Sequence, residues 1–129
     1  MRRSVAEKLG QPILAKYIHC KVVGVPPEIM GAGTSVAIPA PDLGLTPDDV
    51  DICEIKEAFA SQALYSVQAV GIDINRVNPK GGAITFGHPL GATGARQFST
   101  LLTELKRTGK KIGVTSMCIG SGSLVVSEQ

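Results

Sequence analysis

Tryptophan is missing from this chain, and aromatic residues of all kinds make up only 4% of it. So few rings leave little for stacking on bases, and a net charge of +2 is too small for an electrostatic footprint on a phosphate backbone. A nucleic-acid partner is therefore set aside. Cysteine is scarce too: Cys20, Cys53 and Cys118 are an odd number at wide and irregular spacing, which is no disulfide framework and suits a reducing or thiol-tolerant compartment. Neither Cys-x-x-Cys nor His-x-x-x-His spacing occurs, so the two histidines and three cysteines point to no zinc site, and no metal is expected. No apolar run approaches the length of a membrane span, and the start MRRSVAEKLG is basic but lacks the apolar stretch of a signal peptide. The expectation is a soluble, intracellular, single domain over residues 1–129, with 43% hydrophobic and 19% charged residues arguing for a packed core and against disorder.

Glycine, by contrast, is plentiful, and it is concentrated. GGAITFGHPLGATG, from Gly81 to Gly94, holds five glycines and a proline, too many for a helix or strand interior, and it carries His88. It reads as an ordered loop. Phe98, Leu101, Leu102 and Leu105 follow at i, i+3, i+4 and i+7, so the loop empties into a helix running to about Thr108 and closed by Gly109.

Elsewhere the periodicities alternate between strand and helix. Residues 1–10 read as a short amphipathic turn, expected as the tail of a helix whose beginning is missing, and 12–25 are rich in β-branched residues and read as a strand. PPEIMGAG (26–33) is a loop, and Pro39 and Pro41 limit any helix at 35–38 to about one turn. Thr46 and Pro47 with two acids predict a capped turn; Val50, Ile52 and Ile55 predict a short buried strand. From Glu57 to Val70 the apolar positions Ala60, Ala63, Leu64, Val67 and Val70 predict a helix ended by Gly71. KKIGVTSMCIG and LVVSEQ supply two last strands. This order implies an α/β layer structure, a mixed sheet with helices on both faces.

In such a topology reactive groups gather in loops at strand ends, and two loops stand out, those of His88 and Cys118. An imidazole can accept a thiol proton, and the thiolate is the reactive form, so the two residues together would make a proton-transfer or nucleophilic pair. GHPLGATG lacks the Lys-Ser/Thr ending of a phosphate loop. Cys20 and Cys53 have no comparable setting and are expected to pack.

Three blocks carry a resemblance. EIKEAFA (Glu54–Ala60), VNPKGGAITFGHPLGATGARQ (Val77–Gln97) and SMCIGSG (Ser116–Gly122) resemble signature blocks of the thiolase family, in the right order over nearly the whole chain. VGVPPEIMGAG resembles its peroxisomal 3-ketoacyl-CoA branch, and the chain corresponds to the C-terminal of the family's two similar halves.

The resemblance implies an acyltransferase of fatty-acid β-oxidation: coenzyme A, a substrate rather than a resident cofactor, cleaves a 3-ketoacyl-CoA to acetyl-CoA and a shortened acyl-CoA. His88 would deprotonate a nucleophilic cysteine and help hold a thioester oxygen. Cys118 would exchange a proton with the acetyl-CoA methyl carbon or the incoming thiol, and the Gly120 N–H would help to stabilise the oxyanion. The nucleophile belongs to the N-terminal half, and nothing here matches it.

The expected partners are an acyl-CoA and an N-terminal half or thiolase subunit, in a homo- or hetero-oligomer. The location is peroxisomal by resemblance and cytoplasmic otherwise. Lys56 stands where the family has an Asn that positions an oxyanion water, and impairment is the expectation there. The stretch after Ile38 is short, Thr34 replaces a Pro, and Ser123, Leu124 and Val125 replace a glycine-rich run. These departures keep open a second reading, a non-catalytic thiolase-like protein that binds a partner subunit or an acyl-CoA.

Overall fold

The computed structural model describes residues 1–39, 43–119 and 122–128, the last stretch as backbone. Helix α1 (Arg3–Lys8) is followed by Gly10 in the left-handed region, φ 62°. Strand β1 (Lys16–Val23) lies within the expected extended stretch. A 3₁₀ segment (Pro27–Ala32) then leads into α2 (Gly33–Ala37), little more than one turn, with Pro39 just beyond it. Thr46 caps the 3₁₀ turn Pro47–Asp49, its N–H and hydroxyl both donating to Asp49 Oδ2 at 2.7 Å. Strand β2 (Ile52–Ile55) comes next and is buried at every position.

Helix α3 (Ala60–Val70) begins at Ala60 and not at Glu57, because Phe59 is extended and the Glu57 carboxylate turns to the glycine loop. Gly71 closes it at φ 79°. The glycine-rich stretch is not pure loop: it holds a one-turn helix, α4 (Ala83–Phe86), set between Gly82 and Gly87. Helix α5 (Thr93–Thr108) ends as expected at Gly109, φ 69°. Strands β3 (Ile112–Cys118) and β4 (Gly122–Glu128) complete the chain.

The four strands form one mixed sheet in the order β1-β4-β3-β2. Strand β2 pairs parallel with β3, while β4 pairs antiparallel with both β1 and β3. A parallel pair needs a long crossover, here the whole run through α3, the glycine loop and α5. Alternation along the strands separates two faces. Ile52 packs with Leu101 and Leu105 of α5 on one face. On the other, Cys53, Ile55 and Val114 pack with Ala37 of α2 and Val67 of α3. The helices thus cover both faces of a mixed sheet, as the sequence predicts.

Some side chains depart from their expected burial. The buried face of α5 is more polar than apolar, Thr93, Gln97 and Glu104 sharing it with Leu101 and Leu105, while Phe98 and Leu102 are half-buried. Leu64 of α3 is exposed. Cys53 packs as expected, and burial, with Arg76 working against it, pushes its thiol up to about 12, so it is inert. Cys20, expected to pack, is exposed on the edge strand β1 instead.

Candidate active site

The C-terminal end of the parallel β2–β3 pair gathers the three blocks singled out in the sequence. Ile55 is level with Ser116, so Lys56 leaves β2 where β3 approaches Cys118, and the Lys56 N–H donates to the Ser116 carbonyl at 2.9 Å. The start of α5 is bound to the same end. Gln97 Nε2 donates to the Glu54 carbonyl at 2.9 Å and to the Ser116 carbonyl at 3.3 Å, and a Cβ on Gly94 would stand 3.4 Å from Met117 Sδ.

His88 is tied to that helix start. Its Nδ1 lies 2.6 Å from Thr93 Oγ1, and the Thr93 hydroxyl has the Pro89 carbonyl as its acceptor at 3.2 Å. A hydroxyl has one proton to give, so with that proton on Pro89 the Thr93 oxygen accepts from Nδ1–H. In that arrangement the proton sits on Nδ1, and the Nε2 lone pair is left able to take a proton from a thiol. Thr93 is 1% exposed. Sequence reading passes over it, since a threonine at a helix start looks like an ordinary cap.

His88 and Cys118 are both exposed, and among the described residues no hydrogen bond joins them. Lys56 is half-buried, and its ammonium makes no hydrogen bond or ion pair among the described residues. Gly120 lies outside the described residues; the β3–β4 register pairs Cys118 with Gly122.

Two further polar clusters brace this end, and neither is evident from sequence spacing. Asn78, at φ 45°, accepts from the Ile55 N–H and donates to the Ile55 carbonyl, both at 2.8 Å. Its side-chain amide thereby extends, on the outer edge of β2, the pairing that Val77 makes with Cys53 through a parallel bridge. It also donates to Glu57 Oε1 at 2.7 Å, and Glu57 Oε2 accepts from the Ile84 N–H at 3.0 Å. On the α5 side, Glu54 is wholly buried with Arg96 Nη1 at 3.2 Å from its Oε2. Burial outweighs the attraction of Arg96 and pushes the Glu54 carboxyl up to about 7. The Arg96 guanidinium in turn lies 6.0 Å from the centre of the Phe86 ring, linking α5 to α4.

Large apolar side chains border the site and face outward. Phe59 is 69% exposed and Leu90 88%, and Ile84, Phe86 and Ile119 are also exposed. All of them stand within a few residues of Glu57, His88 or Cys118. Among the described residues no group of three or more His, Cys, Asp or Glu is placed to hold a metal ion, and no helix is long and apolar enough to cross a membrane.

A family profile described as "Thiolase, C-terminal domain" matches residues 11–127. The chain belongs to the thiolase family. Among curated thiolases it is 72% identical to the peroxisomal 3-ketoacyl-CoA thiolase of Yarrowia lipolytica, over 99% of this chain and 32% of that protein. It is 59% identical to the Saccharomyces cerevisiae peroxisomal enzyme, over 94% of this chain and 29% of that one. It therefore spans about a third of the length of the curated thiolases it matches.

Among solved thiolases, the dimeric peroxisomal enzyme of S. cerevisiae superposes with a TM-score of 0.91 at 55% identity, covering 99% of this chain and 33% of that one. Another structure of the S. cerevisiae enzyme is described as five-layered α-β-α-β-α, constructed from two core domains of identical topology. Human mitochondrial 3-ketoacyl-CoA thiolase superposes at 0.93 with 38% identity, over 98% of this chain and 33% of that one.

Proposed function

We propose that this chain, as one C-terminal domain, supplies half of a 3-ketoacyl-CoA thiolase of peroxisomal fatty-acid β-oxidation, working in a dimer and completed by an N-terminal half that brings the nucleophilic cysteine. The observation that carries the reading is the convergence of Lys56, the His88 loop and Cys118 at one end of the β2–β3 pair, in a chain of the thiolase family. The exposed apolar rim of Phe59, Ile84, Phe86, Leu90 and Ile119 is what an opposing core domain would cover.

In this reading the free Nε2 of His88 takes the proton of the N-terminal cysteine, whose thiolate attacks the 3-keto carbon. The C2–C3 bond breaks, its electron pair stays on C2, and Cys118 delivers a proton there, which yields acetyl-CoA. The Cys118 thiolate then takes the proton of the incoming coenzyme A, whose sulfur attacks the acyl-enzyme and releases the shortened acyl-CoA. The N-terminal cysteine, as leaving thiolate, recovers its proton from His88. The Gly120 N–H and the imidazole serve as oxyanion donors, which contribute most where charge develops at a preorganised site. Coenzyme A is substrate, and the scheme needs no resident cofactor.

A specific observation favours the second reading, a non-catalytic partner- or acyl-CoA-binding protein: an ammonium at Lys56 stands in place of a neutral amide. The two separate by co-expressing the chain with a matching N-terminal half and assaying thiolysis with Lys56 and Lys56→Asn side by side. Catalysis by either, with the Lys56→Asn variant faster, supports the thiolase reading. Stable assembly with no turnover in either form supports the binding one.

A further inference from the structure

We propose that Glu57 is a positioning residue, its carboxylate clamping the start of the glycine loop to the end of β2 and so setting where His88 stands relative to Lys56. The inference rests on the thiolase reading above for its catalytic consequence, though not for its geometry.

Each oxygen of the Glu57 carboxylate has its own task. Oε2 accepts from the Ile84 N–H at 3.0 Å, in the first turn of α4, where helix N–H groups have no partner of their own. Oε1 accepts from Asn78 Nδ2 at 2.7 Å, and the same amide grips both backbone groups of Ile55. Gly82 makes this possible, because a Cβ there would overlap the Glu57 carboxylate.

A helix of four residues cannot hold itself together, so α4 stands only as firmly as its ends are held. The Glu57 carboxylate holds the first end, and Arg96 over Phe86 holds the last. Gly87, at φ 83°, then turns the chain directly into His88. Glu57 itself follows Lys56, whose N–H is fixed to Ser116 of β3. One carboxylate therefore sets the offset between the β2–β3 end and the imidazole, without touching substrate.

The test uses nuclear magnetic resonance on the whole chain, which has only two histidines. His19 sits on β1, at the far edge of the sheet, and serves as the internal reference. Two variants attack the clamp differently: Glu57→Gln puts a donor where one of two acceptors is needed, and Gly82→Ala displaces the carboxylate while keeping its charge. In both, the His88 ring signals should move or broaden while those of His19 stay, and the Ile84 amide should exchange at least about 10-fold faster. The double variant should be no worse than the worse single one, since both remove the same interaction.

A merely structural Glu57 would loosen exchange throughout β2 and β3 and leave His88 no more affected than His19, which would overturn the proposal. Unchanged Ile84 exchange in both variants would overturn it as well. In the co-expressed thiolase, the variants should lower kcat roughly 10- to 100-fold with little change in KM. The resonance signature without any thiolysis, by either the parent chain or Lys56→Asn, would retain the clamp and defeat the thiolase reading. Turnover with unaltered kcat in the variants would do the reverse.

Discussion

Thr93 Oγ1 stands 2.6 Å from His88 Nδ1, at the point where the glycine loop becomes α5. With the threonine proton on the Pro89 carbonyl, 3.2 Å away, the pair gives a loop histidine a defined tautomer, protonated on Nδ1. Thr93→Val keeps the shape of this buried position and removes the acceptor. Nitrogen resonances of the imidazole should report a proton on Nδ1 in the parent chain and a mixture of tautomers in the variant. In the assembled thiolase kcat should fall by about 10- to 100-fold, the lower part of what a general base contributes. An unchanged tautomer in Thr93→Val would show that Thr93 does not set it.

Glu54 makes stability depend on pH in an unusual direction. Burial raises its carboxyl from 4.5 to about 7 despite Arg96, so the folded chain holds this proton more tightly than the unfolded one. Its contribution is full below about pH 4.5, declines as pH rises toward 7, and is flat beyond, a span of at most about 3 kcal/mol. Asp51 acts oppositely at the acid end. Burial pushes its carboxyl up, but the Ile112 and Lys111 N–H groups, with Lys110 and Arg76, hold it below its usual value, so its contribution is lost as pH falls. Urea unfolding should therefore show stability decreasing between pH 5 and 7, and Glu54→Gln should flatten that slope. An equal slope in the variant would contradict the assignment.

Gly113 is a packing requirement of the β3–α5 contact. A Cβ there would lie 2.7 Å from Leu101 Cδ1 and 2.8 Å from Cδ2, and Leu101 is fully buried, so it has no free space to swing into. Gly113→Ala should cost about 1–3 kcal/mol in unfolding free energy. Adding Leu101→Val should cost less than the two changes summed, because the valine lacks one of the carbons in the way. Strict additivity would place the strain elsewhere.

What the sequence discloses and what it conceals divide along sequence distance. The end of α3 at Gly71 and of α5 at Gly109, the capped turn at Thr46 and the buried β2 are local matters of caps and periodicity, legible in the residues themselves. His88 and Cys118 stand out because glycines crowd around them. The braces do not, because they join distant segments: Asn78 to Ile55, Glu57 to Ile84, Arg96 to Glu54. Nothing in the spacing of an Asn, a Glu or an Arg announces such a partner. Burial on α5 misleads for a related reason. Gln97 is buried because its amide bridges the carbonyls of Glu54 and Ser116, and hydrophobic periodicity is blind to that. The exposed Phe59, Phe86 and Leu90 resist reading from this chain alone, since what would cover them is proposed to lie outside it.

The central claim is that the catalytic groups of this chain act only across a boundary with another half. It is tested most directly by titrating an N-terminal thiolase half, carrying the nucleophilic cysteine, into this chain while following coenzyme A-dependent loss of 3-ketoacyl-CoA. Neither half alone should turn over; activity should saturate at equimolar mixing and be lost when His88→Ala or Cys118→Ala replaces the parent chain. Thiolysis by this chain unaided, or turnover in the mixture that is indifferent to His88 and Cys118, would contradict that claim.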